Sequence, residues 1–348
     1  MLARALTGQG TQRSSRAPSF PRRRRDRRFR AVDPRHRGDV GRDVGLASLR
    51  LLTRGALFAL VAGSAAAHVA HAADSHLGFG ALLALLLAGA TTLYARGVVR
   101  LWRRAGVARG IRVVDVARFA LGMVVLGAAL LSPIDAVADR SFAMHMLEHE
   151  MLMVLAAPLF VVSRPLEAFA WALAPRARHA IALGLRASPI QALWRATTTP
   201  VSATVVHALA LWVWHLPVLF AAALASEAVH VLQHACFFGS ALAFWWAMFG
   251  GASRKAGVVS LACLFATMLH TSALGALLTF APAAWYVASD APRLFALTSL
   301  EDQQLGGLIM WVPGGLAYVV VGLAIVATWL ATPRSASHDA ARHALSRR

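Results

Sequence analysis

Long apolar runs separated by short polar connections dominate the chain from about residue 77 onward. Each run has about 20 residues or more, which is enough for a helix that crosses the ~30 Å hydrocarbon core of a bilayer. The pattern therefore predicts an all-α fold, a multi-pass transmembrane helical bundle with about seven spans. The runs are 77–95, 113–131, 144–163, 200–219, 229–249, 257–280 and 304–331.

Composition supports the membrane assignment. Hydrophobic residues make up 58% of the chain and charged residues 15%, and the mean hydropathy is +0.57. A net charge of +19 is also found in nucleic-acid-binding proteins, but here the arginines lie in the N-terminal segment and in connections between apolar runs. We therefore expect the lipid bilayer, and no nucleic acid, as a partner.

The chain is predicted to have four parts. Residues 1–48 are arginine-rich without apolar periodicity, which predicts a disordered leader or a start assigned too far upstream. Residues 49–72 join arginines to a short apolar run and are either a cleavable signal peptide or a first span. Residues 73–331 form the seven-span membrane domain, and 332–348 a cytoplasmic tail.

The arginines of the connections predict the orientation of the spans. Connections 96–112, 164–198 and 250–256 are basic, whereas those on the opposite side are mostly acidic. By the positive-inside rule the basic connections are cytoplasmic, so the mature chain starts outside and ends inside. The stretches within 164–198 are amphipathic and predict short helices at the membrane interface or in the cytoplasm.

The highest density of potential metal ligands lies in residues 144–153, MHMLEHEMLM. On a helix, His145 and His149 lie one turn apart on one face, so both imidazoles can reach one metal ion. Met146 and Met153 flank that face. Imidazole combined with thioether is a ligand set suited to copper, and to Cu(I) especially.

The chain repeats this arrangement. His230 and His234 form a second i, i+4 pair, while His215 ends the fourth run and His270 lies in the sixth. Ionisable groups inside spans are rare and usually face the bundle interior, so a layer of histidines predicts a shared metal site. The candidate ligands are His145, His149, His215, His230, His234 and His270, with Met144, Met146 and Met153 as auxiliary ligands.

Three other uses of these residues remain open. A b-type haem protein takes axial histidines from facing helices, although i, i+4 pairs suit a small ion better. The sequence from His145 to His149 also reads HxxEH, the inverted zinc-protease signature, but the second pair lacks the carboxylate. The third alternative is a metal-free assembly scaffold in which the histidines serve packing or pH sensing.

Five stretches in order carry a family resemblance over about residues 77–331. They are MHMLEHEMLMVLAAPLFVVSRP, HALALWVWHLPVLFAAAL, VHVLQHACFFGSALAFWW, MLHTSALGALLTFAPAAWY and LEDQQLGGLIMWVPGGLAYVV. The chain resembles the integral-membrane cytochrome c oxidase assembly factors of the CtaG, caa-oxidase-associated type. This resemblance implies a non-enzymatic protein of the bacterial plasma membrane. It would help copper reach a subunit of a haem–copper oxidase, the copper-containing subunit being the expected partner.

Two further expectations concern residues of the last span. Asp302 and Gln303 are candidates to orient imidazoles from outside the ligand set. The pairs Gly306–Gly307 and Gly314–Gly315 are expected to let helices pack closely.

The arginine asymmetry gives a testable topology. A reporter that is active only in the cytoplasm should be active when fused after Arg348. A reporter that needs export should be active when inserted between Asp290 and Leu300. The reverse pattern of activities would contradict the predicted orientation.

Overall fold

Helices provide the regular secondary structure in the part of the chain that this computed structural model describes. The described residues are 76–331 apart from 139, 188, 250–253 and 287–296. No strand occurs among them, which confirms the predicted all-α fold. The predicted leader, the predicted signal segment and the tail lie outside the described residues.

The helices are numbered in chain order. They are α1 (His76–Ala105), α2 (Val113–Leu130), α3 (Pro133–Ala138), α4 (Phe142–Val162), α5 (Pro165–Ala172), α6 (Pro175–Ala187), α7 (Pro189–Thr197), α8 (Pro200–Trp214), α9 (Pro217–Ala225), α10 (Glu227–Phe249), α11 (Arg254–Thr279) and α12 (Ser299–Ala331).

Within the described ranges, six helices are long and apolar enough to cross a membrane, namely α1, α2, α4, α10, α11 and α12. A seventh span results if α7 and α8, which meet at 82°, are taken together. The multi-pass bundle is thus confirmed. The predicted run 200–219 is not one helix, however, because α8 ends at Trp214 and α9 begins at Pro217. Proline lacks the N–H that would continue the helix, and its ring clashes with the preceding turn.

The amphipathic connection between α4 and α8 folds into α5, α6 and α7, as predicted for short helices in this region. Helix α5 lies against α1, where Gly97 allows close contact: a Cβ at Gly97 would meet the Ala168 backbone.

Helix α4 is the centre of the bundle. It contacts α2, α10 and α12, and more than half of its apolar window is buried (56%). Its middle, Met151–Ala156, is π-helical, and a second π-helical segment in α12, Met310–Gly314, contains Pro313. Such segments accommodate an extra residue and change the direction of the side chains that follow. Residues before and after Met151 therefore do not share a face as in an uninterrupted α-helix.

Asp302 joins the start of α12 to the start of α4. Its carboxylate accepts hydrogen bonds from Ser141 Oγ (2.7 Å), from the Phe142 amide (2.6 Å) and from the Ala143 amide (3.2 Å). The first amides of a helix have no partner within the helix, and a negative charge there also favours the helix dipole. Asp302 therefore fixes where α4 begins relative to α12.

This arrangement corrects one expectation from the sequence. Asp302 binds the helix terminus and not an imidazole. Gln303 accepts hydrogen bonds from the amides of Trp285 (2.6 Å) and Tyr286 (3.3 Å), and its own amide reaches the Leu278 carbonyl (3.4 Å). Both side chains satisfy backbone groups, and they act on the histidines only through the helices and the segment they fix.

Glycines set the distance between α11 and α12. A Cβ at Gly307 would lie 2.6 Å from the carbonyl oxygen of Gly275, and a Cβ at Gly275 would lie 2.7 Å from that of Gly307. A Cβ at Gly306 would lie 2.5 Å from the ring of Phe142 on α4. The expectation that Gly306–Gly307 permits close helix packing is confirmed.

We expect Gly307→Ala to destabilise the protein. The added methyl group meets backbone atoms that cannot move without separating α11 from α12, and overpacking of this kind typically costs about 1–3 kcal/mol. The control is Gly127→Ala, because nothing lies within 4 Å of a Cβ at that position. The control should be neutral or more stable by up to about 1 kcal/mol. Thermal unfolding in detergent measures both, and equal effects would contradict the close approach.

We expect Asp302→Ala to cost about 2–4 kcal/mol, because three hydrogen bonds to a charged acceptor are lost and buried donors remain unpaired. Asp302→Asn keeps one acceptor oxygen and should fall between the parent and the alanine variant. Unfolding in detergent ranks the parent and the two variants by stability. An alanine variant as stable as the parent would show that α4 does not depend on this cap.

Candidate metal centre

Five imidazoles meet at one end of the bundle. His145 and His149 come from the first turns of α4, and His230 and His234 come from the first turns of α10. His215 directly follows the last residue of α8. Neighbouring rings have centroids 4.2–6.4 Å apart. We call these five side chains the histidine cluster. The two i, i+4 pairs therefore lie side by side, as a shared site requires.

Three members of the cluster are placed to share an ion. Ring nitrogens of His145, His230 and His234 all lie within 4.8 Å of one another. Two nitrogens bound to one first-row metal at about 2.0 Å can be at most about 4 Å apart. The three rings would therefore need to draw in by roughly 1 Å, which small side-chain rotations can provide.

The buried imidazoles are only partly satisfied. His145 and His149 are 0% and 1% exposed, and neither ring nitrogen of His149 has a hydrogen-bond partner among the described residues. Burying a polar group without a partner costs on the order of a few kcal/mol. A cation shared among lone pairs would offset this cost, so the cluster has the electronic character of an ion site.

A carboxylate lies next to His234, one of the three rings. Glu148, on α4 between the two histidines of its pair, is 0% exposed, and its Oε1 lies 3.7 Å from Nε2 of His234. A carboxylate beside neutral imidazoles makes the site favourable for a positive ion.

Phenylalanines close the cluster on two sides. The Phe220 ring centroid is 5.0 Å from that of His145, and the Phe237 centroid is 4.6 Å from that of His149. The rings thus pack against one another and against aromatic walls, which leaves no space for a planar macrocycle between these described side chains.

His215 is fixed by three separate contacts. Its Nδ1 lies 2.7 Å from the Leu211 carbonyl oxygen, and its Nε2 lies 3.4 Å from Sδ of Met146. Its own carbonyl accepts a hydrogen bond from the Tyr286 hydroxyl at 2.5 Å. Burial raises the pKa of the Tyr286 phenol to about 12, so the hydroxyl keeps its proton and remains a donor.

The predicted auxiliary methionines do not act as a group. Met146 is buried and touches His215, whereas Met144 is half-buried. Met153 lies in the apolar core, where its carbonyl accepts a hydrogen bond from Trp245 Nε1 (2.8 Å). Met153 belongs to the π-helical part of α4, so the face it shares with His149 in an uninterrupted α-helix is not preserved.

His270 makes no ring contact with the histidine cluster in the described part of the chain. It lies on α11, whereas the cluster comes from α4, α10 and the end of α8. His207 of α8 is 3.0 Å from Ser240 Oγ through its Nδ1. That His270 is a metal ligand stays a prediction.

The structure shows two contacts that the sequence did not predict. The Tyr286 hydroxyl donates a hydrogen bond to the backbone carbonyl of His215. Glu150 lies under the cluster with its Oε2 buried and unpaired, in space that Gly314 leaves open: a Cβ there would lie 2.7 Å from Oε2. The carboxylates of MHMLEHEM were visible in the sequence, but the partner that accommodates Glu150 was not.

One of the comparisons with known proteins identifies a family. The family model described as cytochrome c oxidase caa3 assembly factor (Caa3_CtaG) matches residues 92–332, which is more than half of the chain. Neither the search of curated proteins nor the search of solved structures gives a match. The match includes the whole histidine cluster. The chain belongs to the cytochrome c oxidase caa3 assembly factor family.

Proposed function

We propose that this assembly factor binds copper at the histidine cluster and helps to deliver it to a cytochrome c oxidase subunit, the copper-containing one. The family supplies the role in oxidase assembly and hence an oxidase subunit as partner. The single observation that carries the copper step is the convergence of His145, His230 and His234, whose ring nitrogens lie within 4.8 Å of one another.

Ligand chemistry favours copper as the cargo. Three imidazoles suit copper and zinc, and the thioether of Met146, 3.4 Å from Nε2 of His215 in the same cluster, shifts the preference toward Cu(I). The Glu148 carboxylate beside His234 offsets the charge of a monovalent ion. Copper in this role is the substrate of the protein and leaves with the client.

The alternatives fit the geometry less well. Haem needs a planar space between two axial ligands, and the cluster is filled by its own rings and by Phe220 and Phe237. A zinc protease of the HxxEH type needs substrate to reach the glutamate, but Glu148 is 0% exposed. The metal-free scaffold is the alternative that experiment must separate from copper delivery.

The predicted membrane orientation places the site on the side where the oxidase subunit would receive the ion. If the arginine-rich connections are cytoplasmic, the starts of α4 and α10 face the outside of the bacterial plasma membrane. An ion held there can be passed to an oxidase subunit at the outer surface without crossing the bilayer.

The test removes one ligand. His234→Ala should lower copper affinity by more than the 10–100-fold that loss of a group outside the ligand set typically costs. Oxidase maturation under copper limitation should fall with it. The fold should persist, because the helices pack along their whole length. The matched control is His179→Ala, which removes an exposed histidine on α6.

Copper titration, oxidase activity of membranes and unfolding in detergent are the measurements. A His234→Ala variant that matures oxidase like the parent under copper limitation would contradict copper delivery through this site. A parent protein that binds no copper in either oxidation state, yet still supports maturation, would favour the scaffold.

A further inference from the structure

Two electron-pair donors face each other beside the three-imidazole site. Nδ1 of His215 lies 2.7 Å from the Leu211 carbonyl oxygen, which can only accept, so Nδ1 carries the ring proton. Nε2 of the neutral ring then has a lone pair and no hydrogen. It lies 3.4 Å from the sulfur of Met146, which has no hydrogen either.

This contact is held in place and is buried. Met146 is 0% exposed and His215 5% exposed. The Tyr286 hydroxyl holds the His215 carbonyl, and Gly306 lies directly against Met146, because a Cβ there would be 3.1 Å from Met146 Cγ. Neither atom can donate a hydrogen bond to the other. A cation is therefore the partner that suits both lone pairs.

We propose that Nε2 of His215 and Sδ of Met146 form a second, softer subsite for Cu(I), distinct from the three-imidazole site. The inference rests on the proposed function, because it extends the path of the same ion. Bonds of about 2.0 Å to nitrogen and 2.3 Å to sulfur close the observed 3.4 Å separation at roughly 105°. That angle is normal for a three- or four-coordinate ion, so the pair needs little rearrangement.

His149 connects the two subsites. Its ring centroid is 4.4 Å from that of His145, 5.2 Å from that of His234 and 6.4 Å from that of His215. Neither of its nitrogens makes a hydrogen bond. The ion passes by ligand exchange: a bond to an imidazole of the first subsite breaks as one to the second subsite forms, and copper remains Cu(I) throughout.

The experiment uses the full-length protein in detergent, labelled with selenomethionine and loaded with Cu(I) under anaerobic reducing conditions. The parent should bind two equivalents. X-ray absorption at the copper edge should show a Cu–Se neighbour at about 2.4 Å, slightly longer than a metal–sulfur bond. Met146→Leu should bind one equivalent and lose the selenium neighbour. Met248→Leu, which replaces another buried methionine on α10, should match the parent.

The outcomes separate the two proposals. A parent that binds one equivalent with only nitrogen or oxygen neighbours overturns the second subsite and leaves the three-imidazole site standing. A parent that binds no copper overturns both. The selenium signal is measured on the parent itself, so the conclusion holds even if Met146→Leu does not fold. A selenium neighbour that survives in a folded Met146→Leu variant also overturns the assignment.

Discussion

The carboxylate of Asp302 is the contact on which the histidine cluster depends. It accepts hydrogen bonds from the residues at the start of α4, within four positions of His145, and it lies in the first turn of α12. Helix ends near a membrane have few alternative partners for their free amides, so this bond fixes the height of α4 with little freedom. Because α10 supplies the opposing pair, the height of α4 decides whether four imidazoles meet or pass one another.

The close packing of α11, α12 and α4 also helps to fix the height of α4. Gly275 and Gly307 let α11 and α12 approach to backbone contact, and Gly306 leaves room for Phe142 of α4. In a bilayer there is little hydrophobic force between helices, so this shape fit and the buried hydrogen bonds supply much of the association. They hold together a bundle whose interior contains buried imidazoles and the carboxylates of Glu148 and Glu150.

The sequence predicted what is set by local spacing. Apolar run length identified the spans, and i, i+4 spacing paired His145 with His149 and His230 with His234. It did not predict features that depend on the rest of the fold. The π-helical segment from Met151 changes the face of Met153, and the role of Asp302 became visible only when a helix 160 residues earlier in the chain lay beside it. Depth along a span likewise does not determine which way a side chain faces, so the sequence could not show whether His270 reaches the cluster.

The looseness of the three-imidazole site is consistent with the proposed role. A protein that delivers an ion must release it, and ligands that stand up to 4.8 Å apart must be drawn together before they bind fully. That rearrangement lowers affinity relative to a preformed site. The His215–Met146 pair, by contrast, already has a separation that an ion can bridge. Under the two-subsite proposal, an ion would therefore need less rearrangement to bind the His215–Met146 pair than to bind the three imidazoles, and His149 would lie between the two positions.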